Sequence, residues 1–407
     1  MAETKVSPVE NPTVVLDTFS VLEPESGNYA IFERDLLLLS LRIFSSLNRP
    51  VQDLQARACF FRRLKGGQFS ASMSDGVVFA QVKFSSVRVA DNFPDAFVLD
   101  FESLFKDISF VNGMVCLVHE RGSFYLSFIG GRIYVPAFKI EPRESFEKKF
   151  RDGQYKDISF TNLLQCLEVA QSFLSSNSEP ELDFLFSSED SVFLSNGSTV
   201  LRMHRDFNIE SAIRKSDLSI LGASIHLLLR NRETEFKVFE DKKVLIFRSP
   251  SVTICFPRVE EVFPASYTQF LSKFNKRGHF AINFSNLYDS IAVLSQNYDS
   301  PGLLAFIVRE DRLYLEMTSK TKKVSSILLS EKMVGKLVDQ KVFFGVEGIL
   351  GILRCLRAFP SMNLAFTSNS FCLFDELFEM AVFGTAGLVK GVLEAAVEDV
   401  RGKSGDR

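Results

Sequence analysis

The chain has 407 residues, enough for two to four domains, with 46% hydrophobic and 24% charged residues, so it is expected to bury sizeable cores. Its 47 basic and 50 acidic residues give a formal charge of −3, which argues against a protein that grips nucleic acid through an overall basic surface. No apolar run approaches the ~20 residues of a membrane-spanning helix, and MAETKVSPVENP lacks the basic-then-apolar pattern of a secretory leader. A cytoplasmic protein without membrane association is therefore expected.

The first third opens on a Leu-rich amphipathic helix, predicted over Ile31–Leu47. Strands at Gln68–Ser72 and Val77–Lys83 flank a Ser74-Asp75-Gly76 turn. A short helix, Phe101–Phe105, precedes strands at Met114–Val118, Phe124–Phe128 and Arg132–Val135.

The middle third repeats this order more clearly. Phe160–Leu174 has near-helical spacing, with Leu163, Leu164, Leu167, Val169, Ala170 and Leu174 as its apolar set and Thr161 or Asn162 as cap. Strands follow at Leu182–Phe186, Ser191–Leu194 and Thr199–Met203, then a helix at about Ser216–Leu229. Phe236–Phe239 and Val244–Phe247 form a hairpin across Glu240–Lys243, and Val252–Phe256 runs into a Pro-bounded segment ending at Pro264.

The last third gives a helix over Phe284–Leu294 with Leu287, Ile291 and Leu294 on one face. It continues with strands Leu303–Val308, Leu313–Met317, Val324–Leu329 and Lys341–Phe344, a helix Glu347–Phe359, and strands Asn363–Phe366, Phe371–Phe374 and Met380–Phe383. Each copy of this helix-and-strands unit takes about 120–145 residues, with polar or Pro-bearing junctions near Glu141–Glu147 and Val262–Gly278. Beyond them, Val389, Val392, Leu393, Ala396 and Val400 have helical spacing, which predicts an amphipathic helix that docks on the chain's own surface or on a partner.

No motif announces chemistry. Cys59, Cys116, Cys166, Cys255, Cys355 and Cys372 form no Cys-x-x-Cys pair and are expected to be buried thiols. His119, His204, His226 and His279 fall on separate elements, with no His-Glu-x-x-His or Cys/His grouping and no phosphate-binding Gly-x-x-x-x-Gly-Lys loop. No catalytic residue, metal site or cofactor is expected. With 42 Phe and no Trp, Phe is the main aromatic core filler.

Phe256-Pro-Arg-Val-Glu-Glu-Val-Phe-Pro264 is similar to the Phe-Pro-Asp-Tyr-Arg-Arg-Val-(Leu/Ile)-Pro segment that closes the middle domain of the bacterial DNA polymerase III beta subunits, the sliding clamps. Val192–Met203 resembles the family's strand–Thr-Asp-Gly-His-Arg-Leu–strand element, Asn283–Leu294 its third-domain opening helix, and Phe343–Leu353 its strand-to-helix passage. The resemblance covers about residues 25–387. It implies an α+β DNA clamp fold of three similar domains, each with two helices and antiparallel sheets. They would be residues 1–145, 146–265 and 266–387, with 388–407 as an extension.

The same resemblance implies a homodimeric ring, closed head to tail, that encircles double-stranded DNA without reading sequence. Such a processivity factor is mounted by a clamp loader and tethers a DNA polymerase. The inner wall would be lined by the domain helices, making Arg34, Arg42, Lys215, Arg354 and Arg357 the DNA-facing candidates. The helices Phe160–Leu174 and Phe284–Leu294 carry no Lys or Arg and contribute Glu168 and Asp289 instead, so the wall would be patchily positive. The partner-peptide cleft would comprise Ser195, Gly197, Ser198, Thr199, Val200, Val262, Pro264, Val382 and Phe383. Here the chain departs from the family: Ser198-Thr199 stand for a His-Arg pair, Gly345 and Gly348 for the Asn and Tyr at a helix start, and Phe383–Gly387 for a terminal Met-Pro-Met-Arg-Leu. The alternative is a clamp fold put to a non-replicative use, as a transcription coactivator or scaffold subunit.

Overall fold

The computed structural model describes residues 27–383 apart from 48–53, 129–130, 141–152, 174–183, 189, 196–198, 205–208, 261–264, 275, 297–302, 319–323, 338, 346–348 and 368, and all but Leu353 and Leu356 within 351–358. The chain divides into two compact units, one of Met1–Gln154, Ala223–Glu233 and Ile246–Phe256, the other of Tyr155–Gly222, Thr234–Leu245 and Pro257–Arg407.

In chain order the first elements are β1 (Tyr29–Glu33), α1 (Arg34–Ser45), β2 (Ala58–Arg63), β3 (Gln68–Ser74), β4 (Phe79–Ser85), β5 (Arg88–Val89), β6 (Ala96–Asp100) and α2 (Phe101–Phe110). They are followed by β7 (Met114–Glu120), β8 (Ser123–Phe128) and β9 (Gly131–Val135). Then come β10 (Lys156–Ser159), α3 (Phe160–Phe173), β11 (Phe184–Ser188), β12 (Ser191–Ser195), β13 (Thr199–His204), β14 (Ile213–Arg214) and α4 (Lys215–Arg230). Next are β15 (Glu235–Glu240), β16 (Val244–Arg248), β17 (Val252–Pro257), α5 (Ala265–Ser272), β18 (His279–Asn283) and α6 (Phe284–Gln296). The strands that follow are β19 (Leu303–Arg309), β20 (Arg312–Thr318), β21 (Val324–Ser330), β22 (Met333–Val334), β23 (Gln340–Gly345), β24 (Ser361–Phe366), β25 (Ser370–Phe374) and β26 (Phe378–Phe383).

In the first unit, one sheet runs β5-β1-β7-β8-β9 and a second places β17, β4, β3, β2 and β6 side by side. Phe rings fill the space around them. Phe32 meets Phe69 edge-on at 5.2 Å between centroids, and Phe97 stacks on Phe124 at 4.8 Å. Such pairs add about 0.5–1.5 kcal/mol beyond the area they bury. Phe93 and Phe61 extend the same cluster, which is how a chain without Trp builds this core.

In the second unit β10 pairs with β15, a nine-stranded sheet runs β14-β11-β12-β13-β26-β25-β24-β18-β22, and a four-stranded sheet runs β21-β20-β19-β23. Phe306 of β19, Phe344 of β23 and Phe371 of β25 form a three-ring cluster with centroids 4.8–5.1 Å apart, all of them buried. α6 buries Phe284, Leu287, Ile291 and Leu294, the last three being the face read from spacing.

Two local devices recur. Five strands hand directly over to a helix: β1 to α1, β6 to α2, β10 to α3, β14 to α4 and β18 to α6. The same Asp turn also closes three hairpins. Asp75 accepts the amides of Val77 and Val78, Asp241 those of Lys243 and Val244, and Asp375 those of Leu377 and Phe378, all at 2.6–2.9 Å. A short carboxylate reaching its own backbone two and three residues on fixes the turn without a second element.

Several expected boundaries move. The helix expected from Ile31 starts at Arg34, because Tyr29–Glu33 is a buried strand between β5 and β7. The helix expected to end at Phe105 runs to Phe110. The junction at 262–278 holds α5, and β2 and β6 were not anticipated. The helix expected at 347–359 lies largely outside the described residues, though Ile349, Leu353 and Leu356 are buried, and the extension 388–407 lies wholly outside them.

Candidate functional site

The candidate site is built on the pairing of β13 with β26. These strands lie 174 or more residues apart in sequence and join antiparallel with Thr199 opposite Val382, Val200 opposite Ala381, Leu201 opposite Met380 and Arg202 opposite Glu379. Because side chains alternate across a strand, Val200, Arg202 and His204 share one face with Glu379 and Ala381. On that face Val200 and Ala381 join a buried apolar cluster with Phe186, Phe193, Leu271 and Phe274, so the end of α5 and the residues after it lie over the seam.

Four of the nine expected cleft residues are brought together here. Ser195 is the register partner of Val200, and Thr199 of Val382. All four side chains are buried, Ser195 and Val200 at 0% exposure, and the Ser195 hydroxyl donates to the Thr199 carbonyl at 3.2 Å. They therefore belong to the core of the seam and present no open wall. Phe383 ends β26 opposite Ser370, while Gly197, Ser198, Val262 and Pro264 lie outside the described residues.

An open cavity of about 710 Å³ lies further along the same strands, where Arg202 and Glu379 meet Leu271, Lys273, Phe274, Lys276 and Arg277. Glu379 is only 7% exposed and pairs with Lys276, and its carboxylate lies 3.5 Å from His204 Nε2. Arg202 donates from Nε to the Ser191 hydroxyl at 2.9 Å and sits 3.7 Å from Asp190. The hydrogen bond from Ser191, helped by the Arg202 and His204 charges, holds the Asp190 carboxyl below its ordinary range. Sequence reading missed this site. Its one signal was the run Lys273, Lys276, Arg277 after α5; the partners on β13 and β26 arrive only through the register.

The expected DNA-facing residues that are described lie at the ends of two helices, α1 and α4. Arg34 opens α1, but its guanidinium donates to the carbonyls of Ile108 and Ser109 at 3.4 and 2.9 Å, capping the end of α2. Arg42, in the last turn of α1, is exposed. Lys215 opens α4 and is half-buried, and Arg354 and Arg357 lie outside the described residues. α3 and α6 present exposed Glu168 and Asp289. Among the described residues no group of three His, Cys, Asp or Glu side chains could hold a metal ion, and no helix is long and apolar enough to cross a membrane.

Helices fed directly by strand ends, antiparallel sheets and the sheet continuing through the β13–β26 seam define a DNA sliding-clamp fold. The chain is similar to the DNA polymerase sliding clamp of Bacillus subtilis, with 11% identity over 88% of this chain and 99% of that one and a TM-score of 0.68. It is similar to the DNA polymerase III subunit beta of Pseudomonas aeruginosa at 10% identity and a TM-score of 0.67, over 88% and 99% of the two chains. The Helicobacter pylori beta clamp, solved bound to a DNA ligase peptide, matches at 13% identity and a TM-score of 0.67 with the same coverage. No family model and no curated protein matches the sequence.

Proposed function

We propose that this chain is a sliding clamp: a cytoplasmic, non-enzymatic processivity factor that encircles duplex DNA and tethers a replicative polymerase. The observation that carries the reading is a shared fold spanning 88% of this chain and 99% of the bacterial clamps it matches. In this reading the chain has three domains, residues 1–145, 146–265 and 266–387, and the β13–β26 pairing would join the second to the third.

Two copies would close head to tail, a heterologous contact whose rotation returns on itself. Two sheet edges support this. β9 ends one sheet with Tyr134 55% exposed, and β21 ends another with Leu328 45% exposed. Pairing them between copies would satisfy backbone groups that an edge otherwise leaves to water. Inside such a ring Arg42, Lys215, Arg354 and Arg357 would make salt-labile phosphate contacts, which permit sliding without sequence readout. Arg34 would contribute less, its guanidinium being engaged at the end of α2. A peptide ligand is proposed because the Helicobacter pylori clamp is described with one.

Primer extension on primed circular DNA, with the cognate loader and polymerase, tests the reading. Longer products on adding this chain are expected; unchanged product length would refute it. Glu168 and Asp289 on α3 and α6 favour a second reading, a clamp fold used outside replication as a coactivator or scaffold. Unchanged extension together with RNA polymerase binding would establish that instead.

A further inference from the structure

We propose that the cavity at the Arg202–Glu379 end of the seam binds an acidic peptide segment of a partner protein, an inference that rests on the clamp reading only for the partner's identity. Four cations, Arg202, Lys273, Lys276 and Arg277, line the cavity against one carboxylate, Glu379, so its lining is net cationic. Two of the cations are already locked. Arg202 lies over the Phe193 ring at 5.6 Å and is held by the Ser191 hydroxyl. Lys276 lies over the Phe374 ring at 5.4 Å and is paired to Glu379. Side chains fixed before binding lose little further freedom when a ligand arrives.

Lys273 and Arg277 are exposed and supply charge at the mouth. Thr268 and Ser272 add hydroxyls from α5, while Leu271 and Phe274 form an apolar floor. A peptide fits these surroundings better than a nucleic acid. The volume of about 710 Å³ holds a few side chains, within the range of ligand pockets. Glu379 can accept a peptide backbone N–H, a donor that a phosphodiester backbone does not offer. Phe274 is 5% exposed, so it offers no ring face for a base to stack on. Charge of one sign in a concave wall favours fast, salt-dependent capture of an oppositely charged segment.

The test uses the full chain and three fluorescein-labelled probes: a ten-residue peptide with four Glu around a central Leu, the same peptide with Gln for Glu, and a ten-nucleotide single strand. Anisotropy should show the Glu peptide binding, the Gln peptide binding at least about tenfold more weakly, and affinity falling as salt rises from about 50 to about 200 mM. Lys273→Glu with Arg277→Glu, both at exposed positions, should abolish Glu-peptide binding while the circular dichroism spectrum stays unchanged. Lys273→Gln with Arg277→Gln should give an intermediate loss. Equal binding of the Gln peptide, no effect of either double variant, or preferential capture of the oligonucleotide would each overturn the proposal. Glu-peptide binding by a chain that fails to extend primers would overturn the clamp reading and leave the peptide site standing.

Discussion

Arg202 and Glu379 are register partners across β13 and β26, yet each makes its ion pair elsewhere: Arg202 with Asp190, Glu379 with Lys276, with His204 Nε2 3.5 Å from the Glu379 carboxylate. The strand pairing thus brings two opposite charges to one face, and neighbours from the turn before β12, the α5–β18 loop and β13 itself divide them. Removing Lys276 leaves a carboxylate that is 7% exposed without its cation. Lys276→Met should cost about 1–3 kcal/mol, and Glu379→Gln in the same chain should recover part of it, because a lone buried charge costs more than a missing pair. A double-mutant cycle by chemical denaturation measures the coupling. Additive losses would show that the pair contributes nothing of its own.

The same logic applies at Asp100, 1% exposed at the start of α2. It accepts from the Ser103 amide and hydroxyl at 3.1 and 2.6 Å and from Arg57 Nε and Nη2 at 3.0 and 2.7 Å. Asp100→Ala removes a helix cap and strands Arg57, and should cost about 3–5 kcal/mol. Asp100→Asn keeps the capping oxygen and should cost less. Thermal unfolding of the two variants gives the order.

Gly335 and Gly76 separate strain from collision. Both have positive φ, +77° and +92°. A Cβ on Gly76 would meet nothing within 4 Å, whereas one on Gly335 would lie 2.1 Å from the Arg277 carbonyl oxygen. Gly76→Ala should therefore cost about 1 kcal/mol from backbone conformation alone. Gly335→Ala should cost more, and should also weaken peptide capture by displacing Arg277. Equal losses in stability would contradict the close approach of the two backbones.

Cys59, Cys116, Cys166, Cys255 and Cys372 are all buried. Burial pushes the Cys116 and Cys372 thiols up from the ordinary thiol range to about 12. At about pH 8 roughly one such thiol in ten thousand is ionised, so iodoacetamide should leave these peptides unmodified until the chain is unfolded. For stability the sign is fixed by the neutral form being favoured in the folded state. These groups' contribution is full below about pH 9 and is lost as the pH climbs toward about 12, because the unfolded chain then releases protons that the folded chain keeps. Cys116→Val should flatten that alkaline loss.

Much of the fold was legible where one signal was strong. Leu287, Ile291 and Leu294 mark α6 by spacing alone, and all three are buried. Legibility failed at junctions. Ile31 and Phe32 continue the apolar pattern of α1, and Glu33 provides no side-chain cap, so nothing in the sequence separates β1 from the helix. α5 is eight residues long and follows a Pro, too short for periodicity to register. The site was less legible still. Thr199, Val200 and Val382 lie on strands legible in the sequence and Ser195 ends β12 where a turn is expected, but the pairing of these strands and the burial of all four residues are tertiary facts. The cationic cavity depends on Glu379 reaching Lys276 across 103 residues, which no local pattern encodes.

Ring closure is the most direct consequence of the clamp reading, and native mass spectrometry combined with electron microscopy of the purified chain at micromolar concentration measures it. A species of two chains, each of 45.9 kDa, seen as a closed ring with a central hole, is the expected result. Tyr134→Asp with Leu328→Asp should convert it to single chains. A wild-type protein found only as single chains, with no ring in any view, would contradict the reading.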